Sequence, residues 1–326
     1  MSDIIKRIQE KKLRLDSFRP LQDSFRKNME EWFRIELTYT SNAVEGNTLT
    51  RQETALVVEK GITVEGKSIT EHLEAVNHAK AFDFVIELAD KKIKDITEQT
   101  ILDTHSIILE KIDYANAGRY RNVPVRIAGS RVILPNAMKV PDLMKEFIGW
   151  LHGEKDEIIK LAADAHFKFV TIHPFIDGNG RTVRLLMNLI LMQGGFPPAI
   201  IRKEDRNAYI QGIEKGQLKK DLSDYYKIIF TAVERSLDIY LDLLEPKKER
   251  VLKPEKLLKI GEIAKMANEG IPTIRYWTKE GLLKVEEYSK GGYHLYSSKV
   301  IGRIKQIRKL QSEKRLTIEE LKQVLI

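Results

Sequence analysis

The chain has 326 residues, 42% hydrophobic and 31% charged, which is typical of a soluble globular protein of about two or three domains. It has no run of about 18 uncharged apolar residues, which excludes a membrane span, and no apolar segment behind its charged N-terminus, which argues against a secretory signal. The absence of cysteine excludes disulfides, thiolate zinc sites and a cysteine nucleophile. Together these features predict a cytoplasmic location. The net charge of +8 is uneven: residues 1–245 carry −1, residues 246–256 carry +3 and residues 257–326 carry +6, which predicts a near-neutral body with a basic appendage.

Most of the first 245 residues are predicted to be helical, because their apolar side chains recur at helical spacing. Thr97 is expected to cap the start of one helix, since a threonine side chain there accepts a hydrogen bond from the first turn. The predicted helices span residues 4–16, 20–39 and 70–89, a segment from 98 onward, and residues 141–152, 157–171, 179–193 and 222–244.

One segment breaks this helical pattern. In residues 118–135, alternating valines and isoleucines flank Gly129-Ser130, which predicts a β-hairpin. The fold class is therefore mainly α, with one small hairpin and a small C-terminal domain. The predicted organisation is an N-terminal helical region over residues 1–100, a core over 101–245, a proline-containing charged linker over 246–256 and a compact domain over 257–326.

The most informative stretch is residues 173–184, which read His-Pro-Phe-Ile-Asp-Gly-Asn-Gly-Arg-Thr-Val-Arg. Gly178 and Gly180 bracket Asn179 directly before an apolar helix. Glycines at a helix N-terminus let backbone amides approach an anion, and the helix dipole favours negative charge there. The segment is therefore a candidate phosphate site.

Four charged or titratable side chains surround this candidate site. Arg181 and Arg184 are three residues apart on the first turns of the helix, and two guanidinium groups suit a polyphosphate. Asp177 could hold Mg²⁺, which phosphate sites bind through one or two carboxylates. His173 has a side chain whose pKa suits a general base near neutrality.

Several better-known motifs are excluded. Val183 stands where a dinucleotide-binding fingerprint requires its last glycine, no strand is evident before the loop, and the chain has neither a P-loop nor an HExxH pair. A Gly-Asn-Gly turn before a helix can also be only a cap and a turn, and this segment alone leaves that interpretation open.

Residues 173–184 resemble the signature of the Fic family, His-Pro-Phe-x-(Asp/Glu)-Gly-Asn-(Gly/Lys)-Arg-x-x-Arg, at every defined position. The resemblance covers about residues 30–240. Gly118-Arg-Tyr-Arg121 and the predicted hairpin look like the segment that leads into the family's substrate-docking flap, and Tyr209 lies where the family places adenine-pocket residues. The resemblance implies a Fic-type helical bundle with a small β-hairpin flap.

The same resemblance implies transfer of AMP from Mg-ATP to a Ser, Thr or Tyr hydroxyl of a protein, itself included. His173 would deprotonate the hydroxyl, Asp177 would hold Mg²⁺, and Phe175 would pack inward. Gly180 favours nucleotidyl transfer, because the phosphate-transferring Doc branch has lysine there. The implied ATP-binding residues are Gly178, Asn179, Gly180, Arg181, Thr182, Val183, Arg184 and Tyr209.

An upstream segment fits the family's inhibitory pattern, (Ser/Thr)-x-x-x-Glu-(Gly/Asn), with Ser41, Glu45 and Gly46 at its defined positions. The resemblance implies that Glu45 binds Arg184 in competition with the γ-phosphate of ATP, so that transfer is self-inhibited. The same carboxylate could orient water for the removal of AMP from a modified protein. The alternative is that Glu45 is a solvated carboxylate near a helix end.

Residues 257–326 follow the order of short helix, second helix, Gly-Gly turn and basic helix, and they are similar to a MerR-type winged helix-turn-helix. The resemblance implies contact with DNA, which the net positive charge suits. One departure is His294, where the family wing usually has arginine, and the domain could instead bind protein or pack on the body. The implied DNA-binding residues are Thr273, Arg275 and Tyr276 on the recognition helix, and Tyr293 and His294 in the wing.

The leading hypothesis is therefore a self-inhibited protein adenylyltransferase with an appended winged helix. A de-AMPylating hydrolase that uses the same site stays open, as does a DNA-binding regulator whose body senses nucleotide. The sequence leaves the target protein, any operator and the oligomeric state undetermined, a homodimer included.

Overall fold

The protein folds into two compact units, the first ending at Glu245. The predicted linker over residues 246–256 lies outside the described residues, and each unit is therefore described by itself. The computed structural model describes residues 2–153, 156–245, 257–289, 291–314 and 316–325.

The first unit is helical, which confirms the predicted fold class, and the predicted helices are present with shifted ends. Its helices are α1 (Ser2–Asp16), α2 (Asp23–Glu45), α3 (Arg51–Lys60), α4 (Ile69–Leu88), α5 (Glu98–Ile108), α6 (Val140–Gly153), α7 (Ile158–Ile172), α8 (Asn179–Gln193), α9 (Arg206–Lys219) and α10 (Ser223–Leu244), with short 3₁₀ turns at Ile93–Asp95, Ala137–Lys139 and Lys203–Asp205.

Helix α8 lies in the middle of the first unit and packs against α7, α2, α4 and α5. Every residue from Arg181 to Leu191 is buried, so this helix is surrounded by protein rather than lying on the surface. Helix α1 packs on α10, and the helices of residues 1–100 share one hydrophobic core with those of residues 101–245. The loop before α8 is therefore held in a rigid frame.

The ends of several helices follow from local sequence. Thr97 caps α5 as predicted, because its side chain accepts a hydrogen bond from the N–H of Thr100. Helix α2 runs six residues beyond its predicted end and stops at Gly46, whose φ of 107° suits glycine. Glu45 thus occupies the last turn of a long helix.

The predicted β-hairpin over residues 118–135 is corrected by the structure, since no strand occurs in this fully described segment. The chain does turn where predicted, with the N–H of Ser130 donating to the carbonyl of Ile127. Its polar groups bond elsewhere: the Arg121 guanidinium donates to the carbonyls of Val123 and Pro135, and Glu214 of α9 accepts from Ser130 Oγ and the Arg131 N–H. These contacts take the place of a strand ladder.

The second unit is a small winged helix-turn-helix, as predicted. Its strands pair antiparallel in the order β1-β3-β2, with Leu258 opposite Tyr296, so a short strand precedes the helix that was expected to open at Leu258. Trp277, Ile274 and Tyr296 lie in its separate core. The elements are β1 (Leu258–Lys259), α11 (Ile260–Ala267), α12 (Ile271–Lys279), β2 (Glu287–Tyr288), β3 (His294–Tyr296), α13 (Lys299–Lys314) and α14 (Ile318–Leu325).

Among the described helices of both units, none combines the length and the apolar character needed to cross a bilayer.

Candidate active site

His173, the predicted general base, ends α7 in a left-handed backbone conformation with φ of 52°. A non-glycine residue holds this conformation only where its surroundings enforce it. Here its N–H donates to the carbonyl of Phe169 at 2.8 Å, and Arg121 Nε donates to the His173 carbonyl at 2.8 Å. The N–H of Arg121 also donates to the carbonyl of Pro174 at 2.9 Å. Arg121 therefore builds the site, although the sequence analysis assigned it no role there.

The imidazole of His173 is neutral at pH 7. Burial, followed by the positive charge of Arg121, lowers the pKa of His173 to about 4, although the carboxylates of Glu45 and Asp177 act in the opposite direction. Its Nδ1 is buried, and the nearby carbonyl of Val170 also acts to raise the pKa of His173, although burial dominates. A neutral imidazole is the form that can accept a proton.

The loop before α8 is closed by the side chain of Asn179. Its Oδ1 accepts the N–H of Phe175 and its Nδ2 donates to the Phe175 carbonyl, each at 2.9 Å. Phe175 is fully buried, as predicted. Because both polar atoms of the Asn179 side chain bond Phe175, the donor with which Asn179 can bind an anion is its backbone N–H. The amides in the first turn of α8 have no partner within the helix, and the helix dipole adds positive potential.

His105 of α5 supports this loop from behind. Its Nε2 donates to the carbonyl of Asp177 at 2.9 Å, its Nδ1 accepts the N–H of Gly118 at 3.0 Å, and its ring stacks on Phe175 at 3.6 Å between centroids. Burial lowers the pKa of His105 to about 4, which keeps the neutral tautomer that makes both bonds. His105 therefore has a structural role, which is to support the loop of the site.

Arg184 is almost fully buried in contact with the end of α2. Its Nε donates to Ser41 Oγ at 2.9 Å, and its NH2 donates to the Ser41 carbonyl at 2.9 Å and to Glu45 Oε1 at 2.7 Å. Burial lowers the pKa of Arg184, but the combined effects of Glu45 and Tyr209 outweigh burial, and the net pKa is raised. The predicted partners Ser41, Glu45 and Arg184 are thus brought together, across more than 130 residues of sequence.

Gly180 lies beside this ion pair, on the first turn of α8. A Cβ at this position would overlap the Glu45 carboxylate and lie 2.9 Å from NH1 of Arg184. The absence of a side chain at Gly180 therefore makes room for Glu45 on Arg184.

Arg181 points toward two other carboxylates. Its NH1 donates to Glu74 Oε1 at 2.8 Å and its NH2 to Asp177 Oδ2 at 3.0 Å. Asp177 is 63% exposed at the edge of the loop. No cluster of three or more acidic or histidine side chains in the described part of the chain could hold a metal alone. A single accessible carboxylate beside an anion site nevertheless fits Mg²⁺ that arrives with phosphates, because such sites use few protein ligands.

Three predicted ATP-binding side chains lie in the core. Thr182 and Val183 are fully buried, so any contact that they make with a nucleotide has to come from the main chain. Tyr209 is buried on α9 with its hydroxyl 2.6 Å from Nε2 of His166, whose Nδ1 lies 2.9 Å from the Tyr225 hydroxyl. His166 thus has a structural role between two tyrosine hydroxyls, and the adenine contact of Tyr209 stays a prediction.

In the second unit, the residues predicted to contact DNA lie on α12 and around β3. Arg275, Tyr276 and Tyr293 are exposed, and Thr273 is half-buried. His294 is also half-buried, and its Nδ1 lies 3.3 Å from the Tyr296 hydroxyl. All five side chains are therefore at least partly accessible on α12 and the wing, and Thr273 and His294 are the less exposed of them.

Comparison with known protein families agrees with this geometry. A model of the Fic/DOC family matches residues 95–191, and a model of the MerR HTH family of regulatory proteins matches residues 258–325. A curated relative from Nematostella vectensis, named Protein adenylyltransferase Fic, is 39% identical over 206 residues, which cover 62% of this chain and 48% of that protein. The chain spans about half the length of the curated relatives it matches.

Solved structures extend the likeness to the fold. Fic-1 (aa134–508) of C. elegans matches with a TM-score of 0.68 and 32% identity, covering 74% of this chain and 73% of that one. A Fic domain containing signaling protein from Bacteroides thetaiotaomicron matches with a TM-score of 0.65 and 27% identity, covering 72% and 96%. Together with the site built around His173, these matches show that the chain belongs to the Fic family.

Proposed function

We propose that this protein transfers AMP from ATP to a Ser, Thr or Tyr hydroxyl of a protein, and that Glu45 restrains the reaction. The observation that carries the proposal is the neutral, half-buried imidazole of His173, one short loop away from a helix N-terminus that bears Arg181 and Arg184. The curated relatives are named protein adenylyltransferases, which supports the same reaction.

In the proposed reaction, His173 takes the proton from the attacking hydroxyl. The hydroxyl oxygen forms a bond to the α-phosphorus, the bond between that phosphorus and the oxygen bridging to the β-phosphate breaks, and pyrophosphate leaves with the electron pair. A base whose pKa is about 4 is weak, but a bound triphosphate adds negative charge beside it and raises that pKa. Deprotonation and attack then occur together in a positioned complex.

The phosphates would lie at the N-terminus of α8, where backbone amides, Arg181 and Arg184 supply positive charge. Asp177 would hold Mg²⁺ there, and the ion would neutralise charge on the phosphates. His105 and Asn179 keep the loop in one conformation, which limits the reorganisation needed when ATP binds.

Restraint by Glu45 follows from competition for one guanidinium. The carboxylate of Glu45 lies 2.7 Å from Arg184 NH2, so a phosphate oxygen that needs the same donor has to displace it. ATP bound beside an intact ion pair would have displaced phosphates and a poor line of attack. Glu45 is 39% exposed, so its release requires little rearrangement of the core.

Labelling with ATP that carries ³²P at the α-phosphate tests this proposal. We expect Glu45→Gly to raise self-labelling by at least about tenfold, and His173→Ala in the Glu45→Gly background to abolish it, because a general base contributes about 10²- to 10⁴-fold. Equal labelling of wild type and Glu45→Gly would refute the restraint. No labelling of Glu45→Gly, alone or with cell lysate, would refute the transferase and favour a nucleotide sensor.

Removal of AMP is a second candidate, favoured by a carboxylate placed close enough to raise the pKa of His173. Glu45 could orient water toward an AMP ester in the same pocket. Labelled Glu45→Gly protein, freed of ATP and mixed with unlabelled wild type, gives the test. Release of AMP by wild type but not by Glu45→Gly supports the hydrolase, and stable label contradicts it.

The second unit supports a DNA-binding role beside the enzyme. Its residues 257–326 carry a net charge of +6, and Arg275, Tyr276 and Tyr293 are exposed.

A further inference from the structure

One carboxylate, that of Glu74, links the end of α2 to Arg181 on the first turn of α8. Glu74, on α4, is 18% exposed; its Oε1 lies 2.8 Å from NH1 of Arg181, and its Oε2 lies 2.9 Å from Nδ2 of Asn47. Asn47 stands two residues beyond Glu45, just after α2 ends. The carbonyl of Glu74 also accepts a hydrogen bond from Nδ2 of Asn42, on α2 itself.

Arg181 is shared between two carboxylates. It is only 3% exposed, and besides Glu74 it contacts Asp177 Oδ2 at 3.0 Å. A buried guanidinium divides its charge-assisted hydrogen bonds among the acceptors within reach, so stronger bonding to one carboxylate weakens bonding to the other. An arginine on Asp177 also competes with any cation for the same oxygen.

We propose that Glu74 is a positioning residue that draws Arg181 away from Asp177 and thereby sets how strongly the site holds Mg²⁺ with ATP. This inference rests on the proposed function, because it takes Asp177 as the carboxylate that meets the metal. Asn47 binds the other oxygen of Glu74 and weakens the hold of Glu74 on Arg181. The end of α2 is thus coupled to the metal carboxylate by a route separate from the Glu45–Arg184 pair.

The coupling predicts opposite effects from two neighbouring substitutions. Glu74→Gln removes the charge that competes for Arg181, so Arg181 pairs with Asp177 and Mg²⁺ binds less readily. Asn47→Ala leaves Glu74 free to bind Arg181 more strongly, so Asp177 is released and Mg²⁺ binds more readily. General damage to the site would shift both variants in the same direction.

The test is isothermal titration calorimetry of ATP at graded Mg²⁺ concentrations, with every variant made in the Glu45→Gly protein. We expect the half-saturating Mg²⁺ concentration to rise about tenfold in Glu74→Gln, because a charged hydrogen bond contributes on that order. We expect it to fall about twofold in Asn47→Ala, where a neutral donor is lost. ADP binding without Mg²⁺ should change less than about twofold in either variant.

Glu71→Gln is the matched control. Glu71 lies one turn earlier on α4 and bonds the N–H and hydroxyl of Thr48, so it ties the same turn without contacting Arg181. Its Mg²⁺ dependence should match that of the parent. An unchanged Mg²⁺ dependence in Glu74→Gln, or shifts of the same sign in Glu74→Gln and Asn47→Ala, would overturn the proposal. The expected shifts in a protein that binds Mg-ATP but transfers no AMP would support the role of Glu74 and refute the transferase instead.

Discussion

The two units hold their polar side chains in different ways. In the first unit, Arg181 and Arg184 are 3% and 5% exposed, and each is bonded to carboxylates from other helices. In the second unit, Arg275 and Tyr276 lie on the accessible side of α12. A buried polar group that loses its partner costs free energy of folding. Exposed charges instead contribute through the total charge of the surface, and salt screens their effect. Substitutions should therefore have large, specific effects in the first unit and small, additive effects in the second.

The largest expected difference between the units is their response to acid. Burial lowers the pKa values of His78 and His166 to about 3 and those of His105 and His173 to about 4, and all four lie in the first unit. These histidines stay neutral when folded but take up protons below about pH 6.5 when unfolded. The unfolded state then binds more protons, so the free energy of unfolding falls as the pH drops toward 4, by about 1.4 kcal/mol per pH unit for each histidine.

Hydrogen exchange on the full chain, corrected for its intrinsic pH dependence, can follow both units at once. Between pH 7 and pH 5, protection should fall in peptides of the first unit much more than in peptides of the second. For the first unit, His78→Gln should reduce the slope of the free energy of unfolding against pH by the equivalent of about one bound proton. A parallel loss of protection in both units, or an unchanged slope in His78→Gln, would contradict the assignment.

A smaller effect should follow from the loss of one hydroxyl beside Arg184. Ser41→Ala removes the oxygen that lies 2.9 Å from Arg184 Nε and leaves a buried donor unpaired, so the free energy of unfolding should fall by about 1–3 kcal/mol. Ser236→Ala is the matched control, because Ser236 is equally buried and its hydroxyl has no hydrogen-bond partner among the described residues. Urea unfolding should give a larger loss of unfolding free energy for Ser41→Ala than for Ser236→Ala. Equal losses in the two variants would contradict a stabilising hydrogen bond from Arg184 to Ser41.

The sequence predicts the elements whose information is local. Helical periodicity located most helices, and the twelve residues from 173 to 184 placed a base, a carboxylate and two arginines around one loop. The hairpin prediction failed because an alternating apolar pattern does not show which groups bond the backbone of the segment. In the structure Arg121 and Glu214 form hydrogen bonds with this backbone in place of a second strand. Glu74 was missed because its contact with Arg181 spans 107 residues, and nothing on α4 marks one glutamate among several.

The smallest expected effect concerns Arg275 and the second unit. If this exposed arginine contacts a DNA phosphate, Arg275→Ala should reduce the slope of log affinity against log salt concentration by about 1. It should also weaken binding to different duplex sequences by the same factor, because a phosphate contact carries no sequence information. Fluorescence anisotropy of a labelled duplex at graded salt measures this slope on the full chain. Lys322→Ala is the control, since Lys322 is paired with Glu280 at 2.7 Å and its charge is already partly neutralised. A slope that both variants lower equally would mean that only net charge matters, whereas a change confined to Arg275→Ala would place α12 against the DNA backbone.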